Sequence, residues 1–196
     1  MKRKASSNEH RWGDPRVLVA IAGVAVVAVI VGVIVASQEP ETSRPTVQSN
    51  EIVGLQKFTV PPYTHVPGPV QYPQTPPVGG SHGSIWQDCG FYSVPIVTEY
   101  GVHSMEHGAV WITYRPDLSK DQVETLKKLA TSKKYVLVSP WPGLPASIVA
   151  SAWGKQVQIE SATDPRVNEF VTQFSQSKDA PEAGSACIGG STATAS

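Results

Sequence analysis

The chain has 196 residues, and sixteen Lys and Arg balance sixteen Asp and Glu, so there is no global basic field for nucleic acid. Charged residues make up only 16%, against roughly 25% in ordinary soluble domains. The length excludes a large multidomain enzyme and a multi-span transporter. Two cysteines exclude a dense disulfide scaffold and an all-thiolate zinc cage.

The charge is unevenly spread. Residues 1–16 carry five bases and two acids, a net of +3, whereas residues 50–196 carry ten bases and twelve acids, a net of −2. Between them Val17 to Ala36 is a run of twenty residues with no charge and no polar side chain. At ~1.5 Å rise per residue such a run spans about 30 Å, the thickness of a bilayer's hydrocarbon core. A helix there satisfies every backbone group internally. The run is too long for the apolar part of a cleaved signal peptide. With the basic flank before it and Glu39 and Glu41 after it, the positive-inside rule predicts a cytoplasmic N-terminus and an extracytoplasmic remainder. The expected organisation is a cytoplasmic basic tail at 1–16, a transmembrane helix at 17–36 and a linker at 37–54. An extracytoplasmic α+β domain at 55–188 and a disordered tail at 189–196 follow.

Past the linker, Pro61, Pro62, Pro67, Pro69, Pro73, Pro76 and Pro77 limit the chain to turns and polyproline II. Phe58, Tyr63, Val66, Val70 and Tyr72 in the same stretch suggest a strap laid over a globular body that begins near Gly79. Ala109–Tyr114 alternates and is rich in β-formers, which predicts a strand. Ser119 with Gln122 forms a capping-box pattern, followed by a helix through Val123, Leu126 and Leu129/Ala130. Tyr135–Val138 reads as a short buried strand, stopped by Ser139-Pro-Trp-Pro-Gly143. Ser147–Trp153 and Gln156–Glu160 read as a hairpin turning at Gly154-Lys155. Asp164 is a predicted N-cap with Pro165 at the first helical position. Val167, Phe170, Val171 and Phe174 then give an amphipathic helix. The order of elements predicts a single small mixed domain of the α+β class.

The densest cluster of ligand-type side chains is His103-Ser104-Met105-Glu106-His107, just before the best strand. Extended, it would place His103, Met105 and His107 on one face; as a helical turn it would still pair His103 with His107. Either geometry lets two imidazoles converge on one ion. Met105 would add a soft thioether favouring copper. Glu106 is a candidate ligand, an acceptor orienting an imidazole, or a general base. The Glu adjoins the second His, so the pattern is not the H-E-x-x-H of zinc proteases. His82, between glycines, suits a ligand brought in from a distant loop. His65 is the weaker candidate, and its loss is expected to leave metal binding intact. Cys89 and Cys187, an even pair in an oxidising compartment, predict a disulfide; the alternative makes Cys89 a copper ligand. No nucleophile elbow, phosphate loop or dinucleotide fingerprint is present.

Pro76-Pro-Val-Gly-Gly-Ser-His82, Gly101-Val-His-Ser-Met-Glu-His-Gly108 with the Ala-Val-Trp-Ile-Thr-Tyr114 that follows, Ser139-Pro-Trp-Pro and Ala152-Trp-Gly154 together carry a resemblance. The chain resembles, over about residues 55–188, an uncharacterised bacterial family of single-span membrane proteins with an extracytoplasmic domain of unknown function, the DUF3105 type. The resemblance implies that His82, His103, Glu106 and His107 occupy the family's signature positions. It transfers an architecture and a candidate site rather than an activity. The expected function is a membrane-anchored domain binding copper or zinc at a three-histidine focus of His82, His103 and His107. Its expected partners are the membrane and an envelope or respiratory membrane protein, without nucleic acid. The alternatives are a structural or assembly module without metal, and a metal-dependent hydrolase using Glu106.

Overall fold

In the computed structural model, which describes residues 51–195, the central strand β3 (Val110–Tyr114) is buried along its whole length. Period-two alternation splits its side chains between two faces. Val110, Ile112 and Tyr114 enter one hydrophobic cluster, and Trp111 enters another. The sheet is therefore covered on both sides here, and β3 reads as a near-continuous apolar run.

The six strands are β1 (Gln56–Lys57), β2 (Gly90–Phe91), β3, β4 (Val136–Pro140), β5 (Ile148–Ala152) and β6 (Lys155–Ile159), in the spatial order β1-β6-β5-β3-β4-β2. β3 pairs parallel with β4, and β4 parallel with β2; the other pairings are antiparallel. The parallel β3–β4 pair requires a crossover, which is helix α2 (Lys120–Ser132). Helix α3 (Pro165–Phe174) follows β6. Leu126 and Ala130 of α2 and Val167, Phe170, Val171 and Phe174 of α3 close the first face of the sheet.

The second face is covered by helix α1 (Thr98–Glu106) and by the Pro-rich strap. Val102 and Met105 of α1 meet Trp111 and Leu137 there, with Val60, Tyr63 and Tyr72 of the strap against them. Two buried polar side chains on this face are paired: the Trp111 indole N–H donates to Ser139 Oγ at 3.0 Å, and Gln156 Nε2 donates to the Pro76 carbonyl and to Ser151 Oγ, both at 2.9 Å.

Helix α1 contains the cluster that the sequence left open between strand and helical turn. Glu99 in its first turn favours the positive end of the helix dipole. Its end is a Schellman motif: Gly108 N–H donates to the Met105 carbonyl at 3.0 Å, and Ala109 N–H to the Ser104 carbonyl at 2.9 Å. Gly108 has φ +95°, and a Cβ there would press on Gln176. Glycine is required on both counts.

Several boundaries differ from expectation. The hairpin turns at Trp153-Gly154, where Gly154 has φ +68°. Ile52, assigned to the linker, is 4% exposed and belongs to the core. Residues 189–195, expected to be disordered, are tied down: Ser191 N–H donates to Trp86 O at 2.9 Å, Asp88 N–H to Ser191 O at 2.8 Å, and Ala195 N–H to Pro95 O at 2.9 Å. The predicted span Val17–Ala36 and the flanks up to residue 50 lie outside the described residues. Among the described residues no helix is long and apolar enough to cross a membrane.

The two predicted helix starts also differ. Asp164 accepts from Arg166 N–H at 2.9 Å with Pro165 next to it, as the sequence suggested. The Ser119 side chain makes no capping hydrogen bond, and Gln122 Oε1 accepts from Ala162 N–H at 3.0 Å rather than from Ser119 N–H, so neither half of the capping box forms. Asp164→Ala is therefore expected to cost about 1 kcal/mol of unfolding free energy, as removal of a capping side chain does. Ser119→Ala should cost much less. Urea denaturation of the two variants checks the order.

Candidate metal centre

On a helix, residues at i, i+3 and i+4 share a face. In α1 and its C-cap these are His103, Glu106 and His107. Met105, two positions from each histidine, points to the opposite side. It is fully buried with Val102, Trp111 and Leu137. The thioether proposed as a soft ligand is thus a core side chain, and the shared-face geometry that included it belonged to the extended alternative.

Three other segments meet this face. The glycine loop brings His82, fully buried, with its Nε2 at 2.9 Å from Glu106 Oε2. The strap runs beside that loop: Val66 N–H donates to His82 O at 2.8 Å and His82 N–H to Thr64 O at 3.2 Å. This bridge delivers His65, whose Nε2 stands 3.6 Å from Glu106 Oε2. His103 Nε2 is 3.9 Å from the same oxygen. The C-terminal segment supplies Glu182, whose N–H donates to the Glu106 carbonyl at 3.0 Å and whose Oε2 lies 3.5 Å from His107 Nε2.

The imidazole hydrogen bonds set the chemistry. His82 Nδ1–H donates to the Gly80 carbonyl at 2.7 Å, His103 Nδ1–H to Gly83 O at 2.7 Å, and His107 Nδ1–H to Ala186 O at 2.6 Å. A neutral imidazole has one N–H, so each Nε2 then presents a lone pair. Yet His82 Nε2 faces a carboxylate oxygen at 2.9 Å, and His103 Nε2 faces His107 Nε2 at 3.0 Å. Both are acceptor-to-acceptor contacts, and each calls for a cation, proton or metal, between the partners. A backbone carbonyl holding Nδ1 while Nε2 faces inward is the usual arrangement around a metal-ligating histidine. Burial pushes His103 below the ordinary histidine pKa, against the opposing pull of the Gly83 carbonyl, and so favours its ligating form. Burial and then the Glu106 carboxylate raise the nearby Tyr63 phenol, keeping it protonated.

Two sets of side chains have ligand atoms within 4.8 Å of one another: His65, His82, His103 and Glu106, and beside it Glu106, His107 and Glu182. Ligand atoms in a tetrahedral zinc site with ~2.1 Å bonds lie about 3.4 Å apart. The separations of 2.9, 3.6 and 3.9 Å from Glu106 Oε2 bracket that value. The first set could hold a metal ion. It includes two members of the expected three-histidine focus, His82 and His103, and replaces His107 with His65. His107 falls in the second set, four residues along the helix from His103.

Cys89 and Cys187 are bridged, with Cα atoms 5.4 Å apart, so the alternative of Cys89 as a thiolate ligand is set aside. The bridge anchors the segment whose Ala186 carbonyl orients His107. It also places Gly190 against Trp86, whose indole packs 5.2 Å from the His107 ring centre; a Cβ on Gly190 would collide with that indole.

Residues 65–189 match the family model of DUF3105, described as a protein of unknown function. The chain belongs to the DUF3105 family. No curated protein and no solved structure gives a significant match. The DUF3105 segment begins at His65 and contains every residue of both sets as well as the cysteine pair. Sequence reasoning undervalued His65 and missed Glu182. A histidine among prolines carries no periodic signal, though the apolar residues around it marked the strap as packed. Nothing local distinguished Glu182 from a surface acid.

Proposed function

We propose that this DUF3105 protein is a single-pass bacterial envelope protein whose external domain binds a transition-metal ion through His65, His82, His103 and Glu106. The anchor rests on the apolar run Val17–Ala36 and its basic flank. The metal rests on one observation: imidazoles oriented by backbone carbonyls turn their Nε2 lone pairs toward each other and toward a buried carboxylate. Three imidazoles and one carboxylate suit borderline metals, and with Met105 in the core nothing singles out Cu(I). Zn²⁺ fits the donor set best and Cu²⁺ next. Four protein ligands describe a closed site rather than one with a free position for substrate. A cavity of about 260 Å³ next to the cluster is lined by Val66 and Gly83, yet it contains none of the ligand side chains. Metal handling or structural metal binding, in association with another envelope or respiratory membrane protein, is therefore favoured over hydrolysis.

The test uses the full chain purified in detergent without an affinity tag. A bound ion at a thousandfold excess over Kd stabilises the folded state by about 4 kcal/mol. Zn²⁺ is expected to raise the thermal midpoint of the wild type and to raise that of His65→Ala clearly less, because one of the four ligands of the set is removed. His65 is half-exposed, with a side chain 48% accessible, so its removal spares the core. A wild type indifferent to both Zn²⁺ and Cu²⁺ would mean that the cluster only ties the strap to α1, as the structural-module alternative requires.

A further inference from the structure

We infer a second cation site, formed by His107 and Glu182 and bridged to the first by Glu106. The inference rests on the proposed metal centre and adds a nuclearity to it. The three side chains place ligand atoms within 4.8 Å of one another, and Glu106 belongs to both sets. A carboxylate has two oxygens and can join two ions; Oε2 faces His65, His82 and His103.

Two features show that this second set is held in place. His107 is oriented by Ala186 O at 2.6 Å, and Glu182 is attached to α1 by its own backbone N–H on the Glu106 carbonyl at 3.0 Å. The His103–His107 contact supplies the need. A single ion in the first set uses His103 Nε2 and leaves the His107 lone pair directed at a ligating nitrogen 3.0 Å away. An ion of its own on His107 removes that conflict, with Glu182 Oε2 already 3.5 Å from His107 Nε2. Glu182 is half-exposed, which gives the second ion a route from solvent. With three protein ligands the second ion keeps coordination positions for water, unlike the first.

The experiment counts tightly bound Zn²⁺ on the full-length, tag-free chain in detergent, by elemental analysis after equilibrium dialysis. The wild type should hold two equivalents, Glu182→Gln one, and Glu106→Gln at most one. The exposed position of Glu182 keeps the first variant folded. One equivalent in the wild type, or two in Glu182→Gln, overturns the second site and leaves the first standing. No bound Zn²⁺ in the wild type overturns the metal centre itself and this inference with it.

Discussion

Replacing Cys89 and Cys187 together by alanine is expected to lower the unfolding free energy by about 4 kcal/mol, the loop-closure effect of a long cross-link. The cysteines are 98 residues apart, so the bridge closes most of the described domain into one loop. The effect should come mainly from the unfolded state, because the folded segment has other attachments. Cys89 N–H donates to Cys187 O at 2.6 Å, Gly190 N–H to Asp88 Oδ1 at 2.7 Å, and the Tyr135 hydroxyl to Ser185 O at 2.9 Å. The variant should thus unfold at lower denaturant while still binding metal once folded. Wild-type protein unfolded in the presence of reductant should show the same loss. A loss below about 1 kcal/mol in both experiments would mean that these hydrogen bonds, not the cross-link, determine the stability of the region.

Which parts of this arrangement could be read from the sequence depends on how far each signal extends along the chain. Ala109–Tyr114, the hairpin and the Asp164-Pro165 helix start are encoded in consecutive residues, and the structure contains all three. The strap was legible as packed because apolar side chains sit between its prolines. Helix α1 was not, since Tyr100-Gly101-Val102 has poor helix propensity and the helix is only nine residues long. Its formation is a tertiary effect: Gly101 fits over Trp111, and Gly108 closes the C-terminus. Once α1 is a helix, His103, Glu106 and His107 fall on one face and Met105 on the other. That change of local geometry takes Met105 out of the candidate set, whereas His65 and Glu182 are brought to it by distant segments. The parallel β2–β4 edge and the pairing of residues 191–195 with the 86–96 segment arise between distant segments, so no local pattern announces them.

The seat of α1 on the sheet yields the second large effect. A Cβ on Gly101 would lie 2.8 Å from Trp111 Cζ3 and 2.9 Å from Cη2, and Trp111 is fully buried. The indole cannot yield, because Trp141 packs edge-on at 5.5 Å and Ser139 accepts its N–H. Gly101→Val should therefore lift α1 from the sheet and cost about 1–3 kcal/mol, the usual range for overpacking. Trp111→Ala should cost about 3–5 kcal/mol by leaving a cavity under the same helix. The two losses should not add: in the double variant the valine occupies space vacated by the indole, giving a favourable coupling of at least ~0.5 kcal/mol. Metal affinity should follow the same pattern, falling in Gly101→Val as His103 and Glu106 move away from His82, and partly recovering in the double variant. Denaturant titrations of the four proteins measure the stability cycle, and Zn²⁺ titrations of the same four measure the affinity. Strict additivity in stability would show that Gly101 tolerates a side chain without pressing on Trp111. Unchanged affinity in Gly101→Val would show that the histidine face holds its position independently of how α1 sits on the sheet.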